Sequence, residues 1–214
     1  LARAGVHDSF TVIDTQALYA YEAEGGAHFL LELLASGDVD LLFDGRKKMT
    51  VVSEKLDGNG LLGLLKNADK TFECVRENGY RAANAGQFMV DLVTAPHGIH
   101  TTDLVTFADS DLVAVEVPGL QWLLNSPKLD AIAIDEDGWP VPMRVPDPRA
   151  FALHKAWLSG LSTRETIKKP RDFEQARIVA RLVREHMPQL SFENMLTSLH
   201  GDVRKMLPLI LAEE

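Results

Sequence analysis

The stretch 36–44, SGDVDLLFD, decides how the front of this chain is read. Within it 39–43 is an apolar run interrupted by Asp40 and bounded by Gly37 and Asp44-Gly45, the punctuation of a strand. Side chains two apart on a strand share a face, so Asp38 and Asp40 point the same way. Two carboxylates side by side among apolar neighbours repel each other and resist desolvation unless a cation joins them. Hard divalent ions such as Mg²⁺ take oxygen ligands of this kind. The plain alternative is a strand end in solvent, where the pair needs no ion.

Further along, 88–93 reads FMVDLV, and Asp91 is a lone charge in an apolar run. Burying it unpaired would cost several kcal/mol, of order ~3. Either the run ends at the surface or Asp91 faces something cationic. If this strand lies beside 39–43, three carboxylates converge. Around them, 10–13, 49–53, 72–77, 80–84, 112–117 and 131–134 read as further strands, with Gly79 and Gly86 at turns. The meander pattern predicts an antiparallel or mixed sheet. A helix is predicted over 15–24, capped by Asp14 or Thr15 and ended by Gly25-Gly26. A short helix is predicted at 61–66, and a short turn or helix at 118–125.

After Pro140 the character changes. WPVPMRVPDP, 139–148, carries four prolines and reads as an extended connector. Asp147 then caps a helix with Pro148 at its first position, running to about Ser159. A second helix is predicted from about Arg171 to His186. Its apolar stripe is Phe173, Ala176, Val179, Ala180, Val183 and Met187, and Arg177, Arg181 and Arg184 lie on another face. Ser191 is expected to cap a third helix ending at Gly201, with a last helical piece from about Asp202. Two units follow: an α/β part, 1–146, and a helical part, 147–214.

The bulk numbers set limits. With 214 residues and 46% hydrophobic composition the chain can bury a core without staples. Cys74 is the only cysteine. An internal disulfide is therefore excluded, and a reducing, cytoplasmic setting is expected. No apolar run reaches the ~18 residues of a membrane span. The start, LARAGVHDSF, lacks a basic stretch followed by an apolar run, so no signal peptide is expected. It also lacks an initiator Met, so a true N-terminus upstream is expected. Net charge is −9, split unevenly: −11 over 1–146 and +2 over 147–214. An acidic front and a basic back suit a cleft for cations and phosphates, but on charge alone a solvated basic helix surface is the favoured reading.

Four segments in order carry a resemblance: VIDTQALYAYEAEGG, GDVDLLFDGRKK, FMVDLV, and FALHKAWLS with RETIKKPRDFEQA. Together they resemble a bacterial nucleotidyltransferase-fold family of the DNA polymerase β-type superfamily, related to the abortive-infection toxin nucleotidyltransferases. The likeness covers about 10–190. It implies an α+β fold: a nucleotidyltransferase-type mixed sheet with flanking helices, followed by a C-terminal helical region. It implies that Asp38, Asp40 and Asp91 hold Mg²⁺ or Mn²⁺ and form the catalytic set. It also implies that Thr15, at a helix start, and Lys155, Arg171 and Asp172 bind the nucleotide. The sequence departs from the pattern where the family's glycine before Thr15 is Asp14, a carboxylate that would repel a triphosphate.

Other candidates carry less. His97 and His100 have a ligand-like spacing but no cysteine or acidic cluster beside them. Arg46, Lys47 and Lys48 read as a solvated hairpin tip, and Cys74 as an inert core thiol. His154 reads as a packed helix residue, and Trp122, Trp139 and Trp157 as core. The expected function is Mg-dependent transfer of an NMP from an NTP to a hydroxyl of RNA, protein or a small molecule. The alternative is a catalytically silent module on the same fold, regulatory or part of a toxin–antitoxin-like pair. A nucleotide-sugar transferase using DxD is a third option, disfavoured because no dinucleotide-type α/β repeat is present.

Overall fold

β1 (Phe10–Ile13) and β2 (Asp38–Phe43) run antiparallel, and β2 runs parallel to β5 (Met89–Thr94). A computed structural model describes residues 1–45, 49–56, 58–96, 105–196 and 201–212. The sheet continues from β5 through β4 (Arg81–Ala83) to β3 (Glu73–Cys74), both antiparallel, while β6 (Val115–Glu116) pairs in parallel with β5. The sheet is therefore mixed. Phe10, Phe43 and Phe107 stack edge-on or tilted within its core, with centroids 4.9–5.6 Å apart. Chain reversals in the meander fall at Asn78 and Gln87, which take positive φ beside Gly79 and Gly86.

A second core lies behind β1. Helix α1 (Ala17–Gly25) packs with a two-stranded sheet of β7 (Lys128–Ile134) and β8 (Pro140–Pro146), and with α6 (Pro148–Gly160) and α7 (Lys169–His186). Gly26 ends α1 in the left-handed conformation, where its N–H bonds Glu22 O. The Tyr21 hydroxyl donates to Pro146 O at 2.9 Å, tying α1 to the end of β8. Asp147 caps α6 by accepting from the Arg149 N–H at 2.9 Å. The short helix α2 (Leu31–Leu34) follows α1, and α5 (Leu120–Asn125) precedes β7.

Several sequence readings change. Residues 49–53 are not a strand; they begin helix α3 (Met49–Lys55), ahead of α4 (Gly60–Ala68). Val52 and Leu56, one helical turn apart, are both buried, and a short β-branched run cannot be told from such a turn by periodicity. The proline-rich stretch is not a connector but strand β8. Its prolines at 140, 142 and 146 fall on alternate positions, which puts their missing donors on one edge and lets the ladder to β7 close. The 112–117 strand shrinks to β6. Gly201 does not end a helix but lies within one, α9 (Gly201–Arg204), which stands between α8 (Phe192–Leu196) and α10 (Leu207–Leu211) in chain order. Trp139 is 69% exposed rather than core.

Candidate nucleotidyl-transfer site

In the β2–β5 pair, Asp40 lies directly opposite Asp91, and Asp38 opposite Met89. Register partners on adjacent strands share a face, so Asp38, Asp40 and Asp91 line the same side of the sheet. β1 adds a fourth acid. Ile13 pairs with Asp40, and Asp14 follows it at the end of the strand. Asp40 feels this crowding: burial first, then Asp14, Asp91 and Asp38, push its carboxyl up to about 7. Carboxylates crowded in this way, offering oxygen donors alone, suit a hard divalent cation.

The acids are not idle. Arg81, opposite Asp91 in the β4–β5 register, forks onto it with Nε to Oδ1 and Nη2 to Oδ2, both at 2.6 Å. That bond raises the Arg81 pKa further above its ordinary value. The Ser36 hydroxyl donates to Asp38 Oδ1. As they stand, no three His, Cys, Asp or Glu side chains among the described residues are grouped to hold an ion. Each carboxylate oxygen has two lone pairs, so the Arg81 fork leaves acceptor capacity on Asp91.

Asp14 sits at φ 57°, the left-handed region where a glycine would be at ease and Asp is one of the few tolerated replacements. Its side chain does not cap α1, which starts after a 3₁₀ turn over Asp14–Gln16 without a side-chain cap. It turns to α6, where Lys155 Nζ donates to Asp14 Oδ1 at 2.5 Å and to Asp172 Oδ1 at 2.8 Å. Arg164 Nε donates to the other Asp172 oxygen at 2.6 Å. Burial pushes the Asp14 carboxyl up, but Lys155 outweighs it and holds the group well below the ordinary carboxylate range. Lys155 is 2% exposed and Asp172 3% exposed, so the middle of this alternating chain of two acids and two bases is buried.

Thr15 is buried beside it. Its hydroxyl donates to Asp14 Oδ1 at 3.1 Å and accepts from Gln175 Nε2 at 3.2 Å. Asp14, Thr15, Lys155 and Asp172 are thus brought together, one strand away from Asp40. Arg171 is not in that group: its Nη2 donates to the carbonyls of Leu33, at 3.3 Å, and Ala35, closing the C-terminal end of α2. Arg164, Arg81 and Gln175 are the participants that sequence reasoning missed. His97, His100, Arg46, Lys47 and Lys48 lie outside the described residues. Cys74 is a free, partly buried thiol on β3.

A pocket of about 150 Å³ opens against this site, lined in part by Asp14, Asp40, Lys155 and Arg164. His154 lies in the same lining. Burial, then the charge of Lys155, hold its imidazole pKa down to about 4. Gly119, at φ 91°, lets the backbone pass Trp157: a Cβ there would stand 2.6 Å from the indole ring.

A family model described as Nucleotidyltransferase matches residues 1–200. The chain belongs to that family. No curated protein and no solved structure matches it significantly. Membership agrees with the mixed sheet, its flanking helices and the helical C-terminal region. No helix among the described residues is long and apolar enough to cross a membrane.

Proposed function

We propose that this nucleotidyltransferase-family protein moves a nucleoside monophosphate from an NTP to a hydroxyl, using Mg²⁺ or Mn²⁺ held by Asp38, Asp40 and Asp91. The observation that carries the reading is the Asp40–Asp91 register, which sets acids from distant segments side by side on one face. When bound, the divalent ion supplies charge neutralisation at the phosphates and activation of the attacking oxygen. Arg81 keeps the Asp91 carboxylate from rotating, which fixes one wall of the donor set. Asp172 and Asp14 hold Lys155 at the turn after β1, where a triphosphate would meet its ammonium as a point charge. Arg164, a quarter exposed, is the cation at the pocket with most access to solvent and the better-placed phosphate partner.

The test is incubation with labelled NTPs and Mg²⁺, comparing wild type with Asp40→Ala. Labelled product is expected only with wild type; equal labelling in both would end this reading.

One observation favours a second reading, a catalytically silent module on the same fold. Asp14 stands where a triphosphate would approach and already occupies Lys155. Calorimetric titration separates the two. Mg·ATP binding that is lost in Asp38→Ala supports the enzyme, and no binding at millimolar ligand supports the module.

A further inference from the structure

The pocket beside Asp40 has an apolar half, walled by Val93, Val117, Leu123 and Leu158. The whole pocket, its charged lining included, holds about 150 Å³, the space that one benzene-sized ring needs, roughly 150 Å³. His154 is 5% exposed, and its Nε2 has no hydrogen-bond partner among the described residues. A buried polar atom left open in this way invites a ligand group that satisfies it. Its low pKa means that the ring meets such a group uncharged.

The chemistry of the walls narrows the ligand. Lys155 and Arg164, the cations lining the pocket, are already paired with Asp14 and Asp172. In the proposed reading those two cations meet the NTP, so a phosphodiester acceptor would find no further cation in the lining. A nucleobase carries several donors and acceptors around its edge, and most would face hydrocarbon. A ring with one hydroxyl keeps its polarity at one end. That hydroxyl both donates and accepts, so it satisfies His154 Nε2 in either tautomer.

We propose that this pocket seats a neutral single-ring alcohol or phenol, its ring against Val93, Leu123 and Leu158 and its hydroxyl turned to His154 Nε2 and Asp40, which both line the pocket. The proposal rests on the nucleotidyltransferase reading, in which this hydroxyl is the acceptor. Its oxygen forms a bond to the α-phosphorus of the NTP as the bond from that phosphorus to the pyrophosphate oxygen breaks. Pyrophosphate leaves with the electron pair, and the hydroxyl proton passes to the Asp40 carboxylate.

The experiment titrates benzyl alcohol, toluene and uridine into the full chain without nucleotide. The readout is the fluorescence of Trp122 and Trp157, whose rings lie 6.3 and 5.7 Å from His154. Benzyl alcohol is expected to saturate on the order of 1 mM. His154→Phe should weaken it about tenfold and leave toluene unchanged. Leu123→Trp, which fills the space, should block both; His154→Phe keeps the test decisive if that variant does not fold. Uridine binding more tightly than benzyl alcohol would make this a base site and overturn the proposal. So would alcohol binding that His154→Phe does not change, or no saturation by any ring. Mg·ATP binding is measured separately on wild type. Its absence removes the transferase reading alone, and its presence without ring binding removes this proposal alone. With both in place, labelled AMP should appear on benzyl alcohol.

Discussion

Replacing Asp14 by glycine tests both the stability and the chemistry of the site. Two backbone effects nearly cancel. The left-handed φ of 57° is strained for a residue with a Cβ, and glycine relieves up to about 1 kcal/mol. Glycine also gains unfolded-state freedom, about 0.5–1 kcal/mol against folding. What remains is the ion pair. Removing one partner of a fully buried pair costs about 3–5 kcal/mol. Asp14 is 33% exposed at its side chain, and Lys155 keeps Asp172 at 2.8 Å, so a loss of about 2 kcal/mol is expected. For a chain of this size that lowers Tm by roughly 4–8 °C. Asp14→Asn, which tolerates the same φ without the charge, should lose a similar amount. Urea denaturation at pH 7 measures both. Mg·ATP binding should move the other way. Deleting a carboxylate near the phosphates, and freeing a valence on Lys155, favours the anion by about 2 kcal/mol, roughly 30-fold in affinity. An Asp14→Gly protein that is more stable than wild type and binds nucleotide no better would refute the argument, because it would mean that the Lys155 pair contributes nothing at this turn.

Three further perturbations follow from the same electrostatics. The Asp40 carboxyl is pushed up to about 7 in the fold, so the folded chain holds a proton that the unfolded chain has lost; metal-free stability from this group falls as pH rises from about 4 to 7. The ceiling is about 4 kcal/mol and roughly half that after screening, so Asp40→Asn should flatten the slope and stabilise the metal-free protein at pH 8, while Mg²⁺ should stabilise only wild type; equal pH profiles would count against the carboxylate cluster. His154 has the opposite sign: held down to about 4, it stays neutral in the fold while the unfolded chain takes a proton, so stability is lost as pH falls from about 6.5 to 4. That window is worth about 3 kcal/mol, and His154→Phe should remove it in acid denaturation; an unchanged acid limb would show that the imidazole is not buried neutral. Arg81→Met leaves Asp91, 5% exposed, without its fork and should cost about 3 kcal/mol in EDTA, part of it recovered in Mg²⁺; the same loss with and without the ion would place Asp91 outside any cation site.

How much of this was legible in the sequence depends on the length over which each inference had to reach. Alternation within one strand gave the shared face of Asp38 and Asp40, and a cap with proline behind it gave the start of α6 at Asp147. Both are local patterns. The meeting of Asp40 with Asp91 needed a parallel pairing across about fifty residues, so sequence could raise it only as a condition on strand order. Arg81 was invisible for the same reason: nothing in its own stretch says that it will stand opposite Asp91. The two misread stretches share a cause as well. A short β-branched run fits a helical turn as well as a strand, and prolines on alternate positions fit a strand edge as well as a connector.

Arg171 and Arg164 show where a motif and a geometry part company. An Arg-Asp pair adjacent in sequence looks like a unit, but neighbours on a helix project about 100° apart. Asp172 shares its face with Gln175, three residues on, and that face meets α6 and the turn at Thr15. Arg171 is rotated away from it and meets the carbonyl end of α2. The arginine that pairs with Asp172, alongside Lys155, is instead Arg164, in the segment between α6 and α7. The consequence reaches the chemistry. The cation with most room to move at this pocket stands on a loop, while the helix lysine is locked between two acids, so any change that admits a triphosphate must begin by moving Arg164 or Asp14 rather than Lys155.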